Sequence, residues 1–430
     1  MLSAEKIYEI LLDWNFWGKE FKTVIPRDSY RNRLSVFRVP NKIIALSGIR
    51  RCGKTSLFYE EMADLAKDPK NILYINFEDD RFGAERSPEL IRSALEAYRQ
   101  HVNPEGECYL FLDEVQTVEG WERWARTAYD LAQVNRIYVT GSSSQLLSGD
   151  FASSISGRYL GIDVFPLTFR EFLLFNGLNI GSPASILNAK VRILELLDAY
   201  LKWGGFPEAA LEENDMRRKE LLSSYLDTII YKDIVARHEI RNVKKIKNVV
   251  RYFLSNDTLK TNVNSASKSL RINYRTVGDY ISYMKEAYLI EELNRYDYSL
   301  KKQLASDCKY YCTDAGLVNL AAFSFSEQKG RLLENAVFNH LHRSGESLFF
   351  FSGKNECDFL VMKGNKVGTA VQACWEIDGK NREREVGGLL EAMKEFGLQE
   401  GFIITYGQEE SFSAGGKNIF VIPLWKWLLQ

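Results

Sequence analysis

The sequence predicts an α/β chain in three parts: a parallel sheet covered by helices, a mainly helical middle, and a second α/β domain. Three observations carry this. From Lys42 to about Val164, short apolar runs alternate with helix-like stretches, the pattern of a parallel sheet covered on both faces. From about Ser185 to Asn264 turn signals are sparse and helices dominate. After Phe323 helix and strand patterns mix again. At roughly 150 residues per domain, a chain this long suggests about three domains. Divisions are expected near 165–185 and 322–328, giving 1–180, 181–325 and 326–430.

Composition excludes several classes. Hydrophobic residues make up 45% and charged residues 26%, which rules out wholesale disorder. Lys and Arg total 56 against 57 Asp and Glu, so a polyanion partner requires a local basic patch. The N-terminus, with Glu5, Lys6, Glu9 and Asp13, lacks the apolar run of a signal peptide. No stretch approaches the roughly 18 apolar residues of a membrane span, so a cytoplasmic location without a membrane partner is expected. Cys52, Cys108, Cys308, Cys312, Cys357 and Cys374 show no paired CxxC spacing and read as isolated buried thiols.

The first strand, Lys42 to Ser47, runs into Gly48-Ile49-Arg50-Arg51-Cys52-Gly53-Lys54-Thr55, the pattern G-x-x-x-x-G-K-[ST], and a helix is expected from Ser56 to Ala66. Strand, loop and helix in this order form a P-loop that binds ATP. Glycines let backbone N–H groups approach the phosphates, Lys54 places a charge at the β/γ oxygens, and the Thr55 hydroxyl holds Mg²⁺. Further runs at Ile72 to Phe77, Tyr109 to Leu112 and Ile137 to Val139 supply more strands. The run Tyr109 to Leu112 ends in Asp113-Glu114, with Asp113 expected on metal and Glu114 on the attacking water. The next run ends in Thr140-Gly141-Ser142-Ser143-Ser144. Ser142 is the candidate γ-phosphate sensor there, and a serine-rich helix cap is the competing reading. Ser156-Gly157-Arg158 precedes a strand at Tyr159 to Phe165. Arg158 is a candidate for stabilising the transferred phosphoryl group, in cis or from a neighbouring subunit, against the reading of a surface arginine at a turn.

This constellation resembles the AAA-type ATPases of bacteria and archaea whose C-terminal half is of the domain of unknown function 4143 type. The likeness rests on the loop from Gly48 to Ser56 with its paired arginines, Leu112-Asp113-Glu114, Thr140-Gly141-Ser142-Ser143, Ser156-Gly157-Arg158 and Phe165-Pro166-Leu167-Thr168-Phe169-Arg170-Glu171-Phe172. Trp203-Gly204-Gly205-Phe206-Pro207-Glu208 and Tyr231-Lys232-Asp233-Ile234 extend it into the second half. The resemblance also implies that Ile25, Pro26 and Arg27 lie near the adenine.

Between Arg237 and Arg275 ten Lys or Arg face two acids, Glu239 and Asp257, the one clearly basic segment. A helix at Val263 to Leu270, a turn, a helix at Tyr274 to Ala287 and a hairpin built from Tyr288 to Ile290 and Tyr296 to Lys302 outline a winged helix. Asn273, Tyr274, Arg275 and Thr276 would then face duplex DNA bases, with Lys301 and Lys302 near phosphate. A module that binds another protein fits the same outline.

The last hundred residues read as an α/β restriction-endonuclease-like fold, with Glu334 on a helix, Asp358 on a strand and Gln372-Ala373-Cys374 on the next. Metal-dependent cleavage needs carboxylates and a lysine. Gln372 and Cys374 stand where a carboxylate and the lysine belong, so the domain is expected to be inactive unless Glu376, on the same strand face by period two, replaces the lost carboxylate. The expected whole is an ATPase whose hydrolysis with Mg²⁺ drives or gates a conformational change, with an unknown protein partner and a homo-oligomer as candidates. A nucleotide-gated switch with negligible turnover is the alternative, and an ATP-regulated nuclease the third reading.

Overall fold

A computed structural model describes all residues except 1, 41, 67, 84–85, 147–156 and 322–328. The chain divides into two compact units, Met1–Val164 and Phe165–Gln430. Ser156 and the division expected at 325/326 lie outside the described residues.

The first unit is built on five parallel strands: β1 (Ile43–Ser47), β2 (Ile72–Asn76), β3 (Tyr109–Asp113), β4 (Arg136–Gly141) and β5 (Tyr159–Asp163), in the order β2-β3-β4-β1-β5. Alternate residues serve opposite faces. Ile43, Ala45, Leu73, Ile75, Leu110, Leu112, Ile137 and Val139 pack in one core with the helices Ala4–Trp14, Pro88–His101 and Trp121–Asp130. From the other face Phe111 stacks on Tyr138 at 4.5 Å and meets Phe58 of the helix Lys54–Leu65 edge-on at 5.0 Å. Both faces are therefore covered, as the near-continuous apolar strands require.

The second unit opens with helices, including Lys190–Trp203, Asp215–Thr228 and Val243–Ser255. A small antiparallel sheet follows, ordered β6-β8-β7 from β6 (Lys260–Thr261), β7 (Ile290–Leu293) and β8 (Cys308–Cys312). Helices Val263–Leu270 and Tyr274–Glu286 lie between β6 and β7 in the chain. The second hairpin strand is thus Cys308–Cys312 and not Tyr296 to Lys302. Lys301 and Lys302 sit on a short helix, Leu300–Ala305, in the connection.

The C-terminal region carries a six-stranded sheet of β9 (Leu348–Ser352), β10 (Glu356–Lys363), β11 (Lys366–Ala373), β12 (Glu400–Thr405), β13 (Glu410–Ala414) and β14 (Lys417–Pro423). Its order is β13-β14-β12-β11-β10-β9, with the helix Arg382–Glu395 between β11 and β12 in sequence. β11 ends at Ala373, so the strand periodicity invoked for Glu376 stops short of it, and Glu376 is exposed.

Candidate functional site

Register places the ends of four strands together. Ser47 of β1 lies opposite Gly141 of β4, and Asn76 of β2 opposite Asp113 of β3. The segments that follow β1, β3 and β4 therefore leave the sheet along one edge.

The loop after β1 depends on left-handed backbone, with φ of 150° at Gly48, 70° at Arg51 and 101° at Gly53. A Cβ on Gly48 would stand 2.0 Å from the Val164 carbonyl oxygen, which reserves the position for glycine. The helix Lys54–Leu65 starts at Gly53 without a side-chain cap, so its first amide groups and the positive end of its dipole face the loop. That is an anion site in chemical terms. Lys54 is buried, and its ammonium donates to the carbonyls of Gly48 at 2.9 Å and Ile49 at 3.1 Å. Of its three N–H groups, two thus hold the lysine inside the loop.

Asp113 is 2% exposed. Its Oδ2 accepts from Thr55 Oγ1 and from the Tyr74 hydroxyl, each at 2.8 Å, and its Oδ1 accepts from the Thr140 hydroxyl. Two hard oxygen ligands, Thr55 and Asp113, stand side by side, which suits a cation that takes few protein ligands and completes its shell with phosphate and water.

Glu114 has a φ of 56°, a conformation that costs a non-glycine residue on the order of 1–3 kcal/mol. Its N–H donates to Thr140 Oγ1 at 2.9 Å, which holds the turn. Its carboxylate accepts from Gln116 Nε2 at 2.6 Å and lies 3.6 Å from the Arg50 guanidinium. Burial raises its pKa above the ordinary glutamate value, opposed by Lys54 and Arg50. Ser142 is fully buried, and its Oγ accepts from Gln116 at 3.3 Å and Arg50 at 3.5 Å. Arg50 also pairs with Glu78 at 2.7 Å, joining the loop to the end of β2.

Arg27 is buried and donates to the Cys52 carbonyl at 2.9 Å, so residues 25–27 lie against the loop, with Ile25 and Pro26 exposed. Cys52 is buried, whereas Arg51 and Ser56 face outward. Arg158 is not brought to this cluster within one chain. Its carbonyl accepts from the N–H of Ile43, the first residue of β1, and its guanidinium pairs with Asp130. The loop follows the last residue of β1, roughly 15 Å away along a five-residue strand. Within one chain Arg158 is therefore remote from the loop, which leaves an action on another copy and the reading of a surface arginine at a turn. Sequence reasoning missed Tyr74 and Gln116, whose roles depend on β2 and β4 flanking β3.

Residues 40–173 match the family model described as AAA domain, and residues 194–329 match Domain of unknown function (DUF8612), a different label from the 4143 type expected for this half. An uncharacterized protein of Methanocaldococcus jannaschii is 37% identical, with 98% of this chain and 94% of that one covered. The chain belongs to this AAA-domain family. An uncharacterized protein of Haemophilus influenzae is 29% identical over 95% of this chain and all of its own length. Among solved structures, the Aeropyrum pernix Orc1 protein in complex with DNA is 14% identical with a TM-score of 0.32, covering 75% of this chain and 97% of that one, a likeness too loose to bear on function. The AAA domain accounts for the five-stranded parallel sheet and its nucleotide-binding loop. No helix among the described residues is long and apolar enough to cross a membrane.

In the second unit, Asn273 caps the helix Tyr274–Glu286, its side chain accepting from the Arg275 N–H at 2.9 Å. Tyr274 and Arg275 are exposed, Thr276 is half-buried, and Lys301 and Lys302 are exposed. In the C-terminal region Glu334, Glu356 and Asp358 converge on Lys309, a residue that sequence reasoning did not single out. The buried carboxylate near Gln372 is Glu385, not Glu376.

Proposed function

We propose that this chain binds ATP with Mg²⁺ at the loop of residues 48–56 and hydrolyses it to drive or gate a conformational change. The observation that carries the reading is the convergence, on one uncapped helix N-terminus, of Lys54, the Thr55–Asp113 pair, Glu114 and Ser142. Lys54 offers its ammonium to the β/γ phosphates, and the loop amides and Arg27 hold the nucleotide, with Ile25 and Pro26 beside the adenine. Thr55 and Asp113 would hold Mg²⁺, which supplies charge neutralisation at the phosphate oxygens when bound. Glu114 accepts a proton from the water that attacks the γ-phosphorus, leaving ADP and phosphate. Ser142 senses the γ-phosphate. Arg158 acts on the nucleotide of a second copy in a homo-oligomer.

In the same reading β6, β7 and β8 with their two helices form a winged helix that contacts duplex DNA through Asn273, Tyr274, Arg275, Thr276, Lys301 and Lys302. The six-stranded region is a restriction-endonuclease-like domain without cleavage activity.

One observation favours the slower alternative of a nucleotide-gated switch. The Glu114 carboxylate is engaged by Gln116 and faces Arg50, so turnover requires that it be released. Equilibrium binding of Mg-ATP separates the assigned roles. Lys54→Ala loses binding, whereas Glu114→Gln keeps it, because the lysine acts on ground-state phosphate and the glutamate on water. Equal loss in both variants would overturn the assignments.

A further inference from the structure

A restriction-endonuclease-like domain implies a divalent cation at its carboxylates, and the side chains present do not fit one. Lys309 of β8 is 3% exposed and extends its ammonium into the carboxylates of the six-stranded region. It lies 2.8 Å from Glu356, 2.9 Å from Glu334 and 3.0 Å from Asp358. Three donors meet three carboxylate oxygens, which saturates the ammonium. Further donors hold the same carboxylates. The Tyr311 hydroxyl donates to Glu334 at 2.8 Å, the Ala373 N–H to Asp358 at 3.0 Å, and Lys260 pairs with Glu356.

Gln372 has its own reason to be uncharged. Its Oε1 accepts from the Asp358 N–H at 3.2 Å while its Nε2 donates to Glu385 at 2.7 Å. A carboxylate at this position could not donate, and would face Glu385 as a like charge. Glu385 in turn is paired with Arg384. With these carboxylates spaced around the Lys309 ammonium, no group of three His, Cys, Asp or Glu side chains among the described residues is arranged to hold a metal ion. The cluster nonetheless opens on a cleft of about 770 Å³, so solutes reach it.

We infer that Lys309 is the resident cation of this centre: its ammonium occupies the point on which Glu334, Glu356 and Asp358 converge, and excludes a divalent metal that these carboxylates would otherwise bind. The occupant comes from the small β6-β8-β7 sheet, so one part of the second unit silences a metal site in another. An isolated buried charge costs far more than a paired one, which makes the carboxylates dependent on whichever cation fills the site.

Mn²⁺ binding to the full chain without nucleotide, followed by electron paramagnetic resonance, tests this. Wild type and Asp358→Asn are expected to bind equal amounts of Mn²⁺. Lys309→Met is expected to gain one Mn²⁺ per chain, to lose it again in Lys309→Met/Asp358→Asn, and to show a lowered melting temperature that Mn²⁺ restores. Comparing these pairs cancels any Mn²⁺ held at Thr55 and Asp113. Where Lys309→Met does not fold, Lys309→Met/Glu334→Gln removes one charge of each sign and should still gain Mn²⁺ through Glu356 and Asp358. Wild-type Mn²⁺ that Asp358→Asn removes would overturn the inference, because lysine and metal would then share the centre. A folded Lys309 variant with no added Mn²⁺ would overturn it equally.

Discussion

Glu114 carries three constraints at once: a left-handed backbone, a buried carboxylate, and a hydrogen bond from Gln116. Strain of this kind persists where surrounding structure fixes it, here by the Thr140 hydroxyl that accepts the Glu114 N–H and donates to Asp113. Arg158 is held differently, on an exposed pair with Asp130 at the far end of the strands. If it serves a neighbouring copy, Arg158→Ala should lower turnover by roughly 10²–10³ while changing nucleotide affinity little, because phosphoryl charge redistributes along the reaction path. Mixing it with Lys54→Ala protein should restore part of the rate, and an unchanged turnover at saturating ATP would rule the role out. The loop glycines, Lys54, Thr55, Asp113 and Glu114 were legible in the sequence because each belongs to a contiguous run with one chemical meaning. Gln116 and Tyr74 were not, since their contacts depend on which strands become neighbours. Lys309 was hidden for a similar reason: in sequence it is one basic residue in an apolar strand, and only the tertiary fold delivers it to Glu334 and Asp358.

At the scale of elements, strand and helix periodicity located β1 to β5 and the helix pair before β7, and it failed at the wing. Tyr296, Tyr298 and Leu300 alternate like a strand, yet Tyr298 and Leu300 are 77% and 67% exposed, and the chain turns into the helix Leu300–Ala305. The buried partner of β7 is β8, which begins 15 residues after β7 ends and lies beyond that helix. If this element contacts duplex DNA, affinity should fall by roughly 0.9 log units per log unit of salt for each phosphate neutralised. Replacing Lys301 and Lys302 with Ala should then reduce the slope by about two, as fluorescence anisotropy would measure. A flat, weak response with and without Mg-ATP would exclude DNA as the partner. The Gly204-Gly205 pair has a firmer structural reason. Asp314 accepts the N–H of Gly205 at 2.7 Å and that of Gly316 at 2.9 Å, and a Cβ on Gly204 would stand 1.9 Å from its carboxylate. Burial pushes the Asp314 pKa up from 3.8 to about 6. Between these values the folded state keeps a proton that the unfolded state releases, so this contribution is fully present below pH 4 and is lost as pH rises through 6. Urea unfolding should therefore show wild type losing about 2 kcal/mol relative to Asp314→Asn between pH 4 and pH 7. A constant difference between the two proteins across that range would contradict the role of Asp314.

At the scale of the whole molecule, the features divide between two compact units. The nucleotide loop and its carboxylates belong to Met1–Val164, and the basic helices and the Lys309 centre to Phe165–Gln430. A near-neutral chain of 56 basic and 57 acidic residues has no overall attraction for a polyanion, so any nucleic-acid affinity must come from a local basic patch. The central claim is that the first unit turns ATP over through Glu114. Phosphate release from saturating Mg-ATP, measured for wild type and Glu114→Gln under the same conditions, tests it most directly. The expected result is release by wild type and a loss of roughly 10² or more in Glu114→Gln with nucleotide affinity retained. Wild-type release no faster than that of Glu114→Gln would contradict the account.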